Sequence, residues 1–102
     1  MTKKYIIIVN DDINAESEDK ITRFFQAKKA NFWHWVHNVW IVVSDNFSLI
    51  EIRESIRLIH SGTVLVFRMD DGKLSGYAPA KSGDWLREYW NEGKHYTPDE
   101  SD

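Results

Sequence analysis

The apolar positions near the start of the chain are consecutive rather than spaced. Residues 5–9 are a tyrosine, three isoleucines and a valine, and the polar turn formers Asn10, Asp11 and Asp12 follow them. A run that is apolar at every position is typical of a strand that is buried on both faces of a sheet. The sequence therefore predicts a short central β-strand, which ends where the asparagine and aspartates begin.

The next segment carries its apolar residues at helical spacing. Ile21, Phe24 and Phe25 share one face of a predicted helix, and Asn14 or Ser17 is placed to cap its first turn. Acidic residues are concentrated near the start of this helix and lysines near its end, which suits the helix dipole. We expect the apolar face to pack on the sheet.

A second helix is predicted between residues 48 and 60. Ser48 and Glu51 match a capping box, in which a serine and a glutamate satisfy each other's backbone donors. Ser61 and Gly62 should end the helix, since glycine takes a C-terminal cap conformation cheaply. The apolar stripe consists of Leu49, Ile52, Ile56 and Ile59.

Between the two helices lies an aromatic segment, residues 31–43, with three tryptophans, two histidines and no formal charge. Aromatic and β-branched residues favour a pleated, half-buried surface, so the segment predicts a β-hairpin that turns near Asn38. If Trp33, Trp35 and His37 point to one face, their neighbours point to the other. Both sets are too apolar for a fully wetted surface.

The remaining pattern predicts a fourth strand at residues 63–67, a turn at 70–72, a short fifth strand at 74–78 and a last helix that carries Trp85, Leu86, Tyr89 and Trp90. The predicted fold is α+β, with the ferredoxin-like order βαββαβ around a four-stranded antiparallel sheet, followed by the fifth strand and the C-terminal helix. Residues 1–92 should form a single domain, and residues 93–102 a polar acidic tail.

One face of such a sheet is left without helices. We expect a partner subunit, or the fifth strand and last helix, to cover it. The aromatic hairpin supplies the residues predicted for an interface between two copies, namely Trp33, Trp35, His37 and Trp40. A homodimer is the predicted assembly.

Charge and composition narrow the functional classes. The formal net charge is −3, which argues against broad binding of phosphate backbones. A local basic patch for nucleic acid remains a hypothesis and would consist of Lys20, Arg23, Lys28 and Lys29. The chain has no cysteine, so thiolate chemistry and disulfides are excluded. The first apolar run is too short for a signal peptide or a membrane span, and we expect a cytoplasmic protein without membrane contact.

The pattern as a whole resembles a known group of proteins. The motifs are Trp33-His34-Trp35-Val36, the apolar residues 39–42, the helix at 48–56, Leu65-Val66-Phe67, and later Gly76 and Trp85-Leu86. They are similar to a family of small ferredoxin-like bacterial proteins of mostly unknown function, which is similar in turn to the second core protein of CRISPR adaptation. The resemblance covers most of residues 4–90. It implies either a metal-dependent nuclease or a non-catalytic homodimer that holds DNA.

The resemblance also directs attention to the aspartates after the first strand. In the adaptation protein one aspartate from each subunit faces its mate, and Asp11 or Asp12 occupies the matching place here. Asp11 is the candidate catalytic residue, and both are candidate ligands for Mg²⁺ or Mn²⁺. The chain departs from the family at Asn10, where a tyrosine is usual, and at residues 13–16, where basic residues are usual. Both departures weigh against cleavage, and a simple strand-ending turn is the alternative.

The two histidines of the hairpin, His34 and His37, are three residues apart. On a strand this spacing places them on opposite faces, so a shared metal ion is not expected. A histidine can act as an acid or a base near neutral pH, but hydrogen bonding at the edge of an aromatic core is the more common role.

Three hypotheses follow. The first is a non-catalytic homodimeric interaction module that acts through a protein partner, in bacterial or phage defence. The second is a metal-dependent nuclease centred on Asp11, and the third is a nucleic-acid-binding protein without catalysis. No cofactor is expected except the divalent ion of the second hypothesis.

Overall fold

The structure is a computed structural model, and it describes residues 2–92. These residues form a small α+β fold with a four-stranded antiparallel sheet and three helices. The strands are β1 (Lys4–Val9), β2 (Asn31–Val36), β3 (Val39–Val43) and β4 (Val64–Arg68), and the helices are α1 (Ala15–Ala27), α2 (Leu49–Arg57) and α3 (Ala80–Trp85). A single π-helical turn, Leu86–Trp90, continues α3. Because α3 and this turn follow β4, the element order is not a clean βαββαβ.

The strands lie in the order β2-β3-β1-β4. The predicted central position of the isoleucine run is confirmed, since β1 pairs antiparallel with β3 on one side and with β4 on the other. Ile7 lies opposite Trp40 of β3 and Val66 of β4. The pairing of β2 with β3 is interrupted between Trp33 and Val36, so β2 is an irregular edge strand and β4 a regular one.

The core lies between the sheet and the helices α1 and α2. Alternate residues of the central strands face it, and both helices direct their apolar stripes into it, which places the two helices on the same face of the sheet. Phe47, from the loop before α2, completes the core and contacts Phe24 and Phe25 through tilted and edge-on rings. The fully buried members are Tyr5, Ile7, Ile21, Phe25, Trp40, Val42, Ile52 and Ile56.

The two helix starts agree with the predicted caps. The side chain of Asn14 accepts a hydrogen bond from the backbone of Ser17 at 2.8 Å, and the hydroxyl of Ser48 accepts one from the backbone of Glu51 at 3.1 Å. Each bond satisfies a backbone donor that the helix itself leaves unpaired. Because these contacts span only three residues, the sequence determines them locally.

The chain divides into two compact units, residues 1–70 and 71–102. In the second unit, Trp90 donates from its indole nitrogen to the carbonyl of Gly72 at 3.1 Å, and Asn91 donates to the carbonyl of Leu74 at 3.3 Å. The predicted acidic tail lies outside the described residues. Within residues 2–92, no helix is both long and apolar enough to cross a bilayer.

The fifth strand predicted at residues 74–78 is not formed. The apolar residues Leu74 and Tyr77 of this segment are separated by Ser75 and Gly76, and Tyr77 is fully exposed. Glycine weakens a strand because it loses more backbone entropy on folding than other residues and has no side chain to pack against its neighbours. The carbonyls of Gly72 and Leu74 instead accept hydrogen bonds from the side chains that follow α3.

Candidate interaction surface

The face of the sheet opposite α1 and α2 is called the open face here. By the alternation of side chains along each strand and the pairing between strands, its apolar side chains are Ile6, Ile8, Trp33, Val36, Val39, Ile41, Val43, Leu65 and Phe67. Among the described strand residues, the same alternation places one charged residue on this face, Lys4, and it is only 5% exposed. The open face is therefore almost free of charge.

The apolar side chains of this face are most exposed at the two edges of the sheet. In β4, Leu65 is 49% exposed and Phe67 is 47% exposed. In β2, Val36, which pairs with Val39 after the interruption of the β2–β3 pairing, is 45% exposed. Large apolar side chains that remain accessible near one another commonly mark contact sites for other molecules.

The four predicted interface residues have different environments. Trp35 and His37 are exposed, whereas Trp33 is buried on the open face. The indole N–H of Trp33 has no acceptor among residues 2–92. Trp40 lies on the opposite face, fully buried beneath the helices, and is therefore part of the core and inaccessible to a partner.

His34 is held on both sides. Its Nδ1 lies 2.9 Å from the carbonyl oxygen of Val39, and its Nε2 lies 2.6 Å from a carboxylate oxygen of Glu18 in α1. Its ring stacks on the indole of Trp40, with the centroids 4.2 Å apart and the planes 2° from parallel. These contacts join His34 of β2 to β3 and to α1.

The candidate catalytic aspartates lie in the exposed turn after β1. The backbone carbonyl of Asp11 accepts a hydrogen bond from Nε2 of His37. Among residues 2–92 no group of three or more histidine or acidic side chains could hold a metal ion. The structure thus brings His37 to the turn but gathers no ligand set around Asp11 and Asp12.

A junction that sequence reasoning missed lies beside this turn. The side-chain oxygen of Asn10 accepts hydrogen bonds from the backbone of Thr63 and from the ring of His60, the latter at 3.0 Å. These contacts join the end of β1 to the start of β4 across 50 residues or more. No local sequence signal reveals them, because Asn10 reads simply as a turn residue.

Gly62 was predicted to end the second helix, but α2 ends at Arg57, with Leu58 as its C-terminal cap. Gly62 instead contributes to this junction. A Cβ atom there would lie 2.3 Å from the side-chain oxygen of Asn10 and 2.6 Å from Nε2 of His60. Both contacts are far closer than any real Cβ approach, so the two side chains must move. Only glycine allows the three residues to meet as they do.

We expect Gly62→Ala to lower the free energy of unfolding by about 1–2 kcal/mol, because two hydrogen bonds to the Asn10 side chain are lost at roughly 1 kcal/mol each. Urea denaturation followed by circular dichroism measures the change. Gly76→Ala is the matched control, since nothing lies within 4 Å of its added methyl group. Equal stability of the two variants would contradict the role assigned to the junction.

The predicted nucleic-acid-binding residues are largely neutralised by neighbouring carboxylates. Lys20 pairs with Glu16 at 3.2 Å and Arg23 with Asp19 at 2.9 Å, both one turn apart on α1. Lys28 pairs with Glu51 of α2 at 3.4 Å. Lys29 is exposed at the end of α1, with a backbone φ of 55°. The basic residues therefore form a mixed-charge surface rather than a positive patch.

Comparison with known proteins adds no relative: no family model, no curated protein and no solved structure matches this chain.

Proposed function

We propose that the protein is a non-catalytic homodimeric interaction module with a ferredoxin-like sheet, and that it acts through a protein partner. The observation that carries the proposal is the open face, which presents exposed Leu65 and Phe67 and has no exposed charge among its described strand residues. Apolar and aromatic side chains supply most of the binding energy in protein interfaces, and charged residues are depleted at their centres.

The ferredoxin-like assignment rests on two features of the sheet. The strand order β2-β3-β1-β4 places the first and third strands in the middle, and α1 and α2 cover one face only. On the other face Ile41 and Val43 are buried, and the apolar surface available to a partner lies at the β4 edge, where Leu65 and Phe67 are about half exposed. A role in bacterial or phage defence, as the resemblance to small ferredoxin-like bacterial proteins implies, is part of the proposal.

The charge distribution favours a protein partner over nucleic acid. Three of the four candidate basic residues form ion pairs within the chain, so little positive charge remains for phosphates. The acidic character of the whole chain, with a net charge of −3, acts in the same direction. An uncharged face, by contrast, suits the desolvated centre of a protein interface.

Sedimentation equilibrium over a wide concentration range tests the homodimer. We expect a mass of about twice the chain mass of 12.0 kDa. The same preparation, incubated with DNA and RNA and with Mg²⁺ or Mn²⁺, should leave both nucleic acids intact. A monomer at every concentration would overturn the homodimer. Cleavage that is lost in Asp11→Ala and kept in the control Asp71→Ala, another exposed turn aspartate, would overturn the non-catalytic role.

A further inference from the structure

The two edges of the sheet differ in how well they can accept another strand. In β2 the register slips between Trp33 and Val36, and such an irregularity disturbs the row of backbone groups that a new strand would need. In β4 all five residues are in regular register with β1. The edge at β4 is therefore the one that is geometrically ready for strand addition.

The backbone of β4 has an alternating orientation that can be assigned. Met69 donates to the carbonyl of Lys4 at 2.8 Å, so this pair is a hydrogen-bonded pair of the antiparallel ladder. Such pairs recur every second residue, which directs the backbone groups of Leu65 and Phe67 toward β1. The backbone groups of Val64, Val66 and Arg68 then point outward, and none has a partner among residues 2–92.

The sequence of β4 lacks the usual protection of an edge strand. Natural edges are commonly blunted by proline, lysine, inward-pointing charge or a bulge. The five residues Val64–Arg68 contain none of these except the terminal arginine. That arginine is itself neutralised, because Nε and Nη2 of Arg68 donate to one carboxylate oxygen of Asp70 at 2.9 and 2.7 Å. Hydrogen bonds from Arg68 and from the backbone of Lys4 hold the pKa of Asp70 below its ordinary value.

We infer that two copies of the chain join through β4, antiparallel and with a two-fold axis at Val66, to form one eight-stranded sheet. The inference rests on the proposed homodimer and specifies its contact. In this register Val66 exchanges both backbone hydrogen bonds with Val66 of the second copy, and Val64 does so with Arg68. Six main-chain hydrogen bonds then satisfy the outward groups of both strands.

The same register is self-complementary in its side chains. Leu65 lies opposite Phe67 of the second copy, and Phe67 lies opposite Leu65, so two apolar cross-strand pairs meet on the open face. Arg68 lies opposite Val64, and along the paired strands no charge faces a like charge. A second copy of this chain therefore fits the edge better than a charged or proline-rich strand would.

The β2 edge is unsuited to the same contact for a further reason. His34, which lies in its irregular part, is bound to Glu18 of α1 and to the carbonyl of Val39. Straightening β2 to accept another strand would break these contacts. Joining at β4 also brings the half-exposed Leu65 and Phe67 of both copies together at the centre of the enlarged open face, where a protein partner can bind.

A single cysteine tests the register. The chain contains no cysteine, so Val66→Cys introduces its only thiol. Directly opposed residues of a hydrogen-bonded antiparallel pair have Cα atoms about 5.5 Å apart, within the span of a disulfide. We expect mild oxidation to convert Val66→Cys into a covalent dimer that a reductant separates. Leu58→Cys, at the 91% exposed position directly after α2, controls for random collision and should remain uncoupled.

The outcomes separate this inference from the proposed function. A dimeric mass without coupling at position 66 would overturn the β4 contact and leave the homodimer standing. A monomeric mass for the natural chain would overturn both. Equal coupling of Val66→Cys and Leu58→Cys would show random collision and would also overturn the β4 contact. Circular dichroism of each variant establishes that it is folded.

Discussion

Replacing Trp40 by alanine should lower the free energy of unfolding by about 3–5 kcal/mol. The indole is fully buried and stacks on the ring of His34. Its nitrogen donates to the hydroxyl of Thr22 at 3.2 Å, which joins β3 to α1. Truncation to alanine removes the buried surface of the indole, leaves a cavity in the core and removes the hydrogen bond to the hydroxyl of Thr22. Urea denaturation followed by far-ultraviolet circular dichroism measures the loss.

The matched control is Trp35→Ala. Trp35 is the same residue type in the neighbouring strand, but it is 58% exposed. Its truncation should cost less than about 1 kcal/mol, because much of the side chain is already in water. Similar losses for the two variants would contradict the assignment of Trp40 to the core and Trp35 to the surface.

The second large effect concerns association. Leu65→Glu combined with Phe67→Glu should raise the dissociation constant of the dimer about a hundredfold. Because each tenfold change corresponds to roughly 1.4 kcal/mol, this is a loss of about 2.8 kcal/mol of binding free energy. The double substitution removes both apolar cross-strand pairs of the β4 contact and places like charges opposite each other. Sedimentation equilibrium of the folded variant gives the dissociation constant directly.

A charge-reversed variant makes this test specific for register. Leu65→Glu combined with Phe67→Lys places opposite charges across the two-fold axis and should recover a substantial part of the lost affinity. Leu58→Glu, on the helix side of the molecule, should leave the dissociation constant unchanged, since Leu58 is not part of the contact. Equal weakening by both double variants would contradict the pairing of Leu65 with Phe67.

Local signals in the sequence predicted the local structure well. The central position of β1 followed from a run that is apolar on both faces, and the two helix caps followed from Asn14 and Ser48. In each case the residues that make the contact are within a few positions of one another, or the strand's burial is encoded in its own composition. The four-stranded antiparallel sheet followed from the order of these elements.

The contacts that the sequence did not predict join distant residues. Nothing near Asn10 indicates that its side chain binds His60 and Thr63, and Lys28 gives no sign of its pairing with Glu51. The fifth strand was predicted from the turn residues at 70–72, which could not show that the carbonyls of Gly72 and Leu74 accept hydrogen bonds from Trp90 and Asn91. Trp40 was predicted at an interface because tryptophan is common in interfaces. The register of β3 decides which face of the sheet its side chain lies on, and the sequence alone did not give that register.

Both ends of β4 are fastened to the central strand by side chains. Just before β4, the backbone of Thr63 donates to the side chain of Asn10, which follows β1. Just after β4, the side chain of Asp70 accepts a hydrogen bond from the backbone of Lys4 in β1. A strand anchored in this way is ordered before any partner arrives. Because the strand is already ordered, little conformational entropy is lost when it binds. Even a contact of only five residues can therefore be specific and stable.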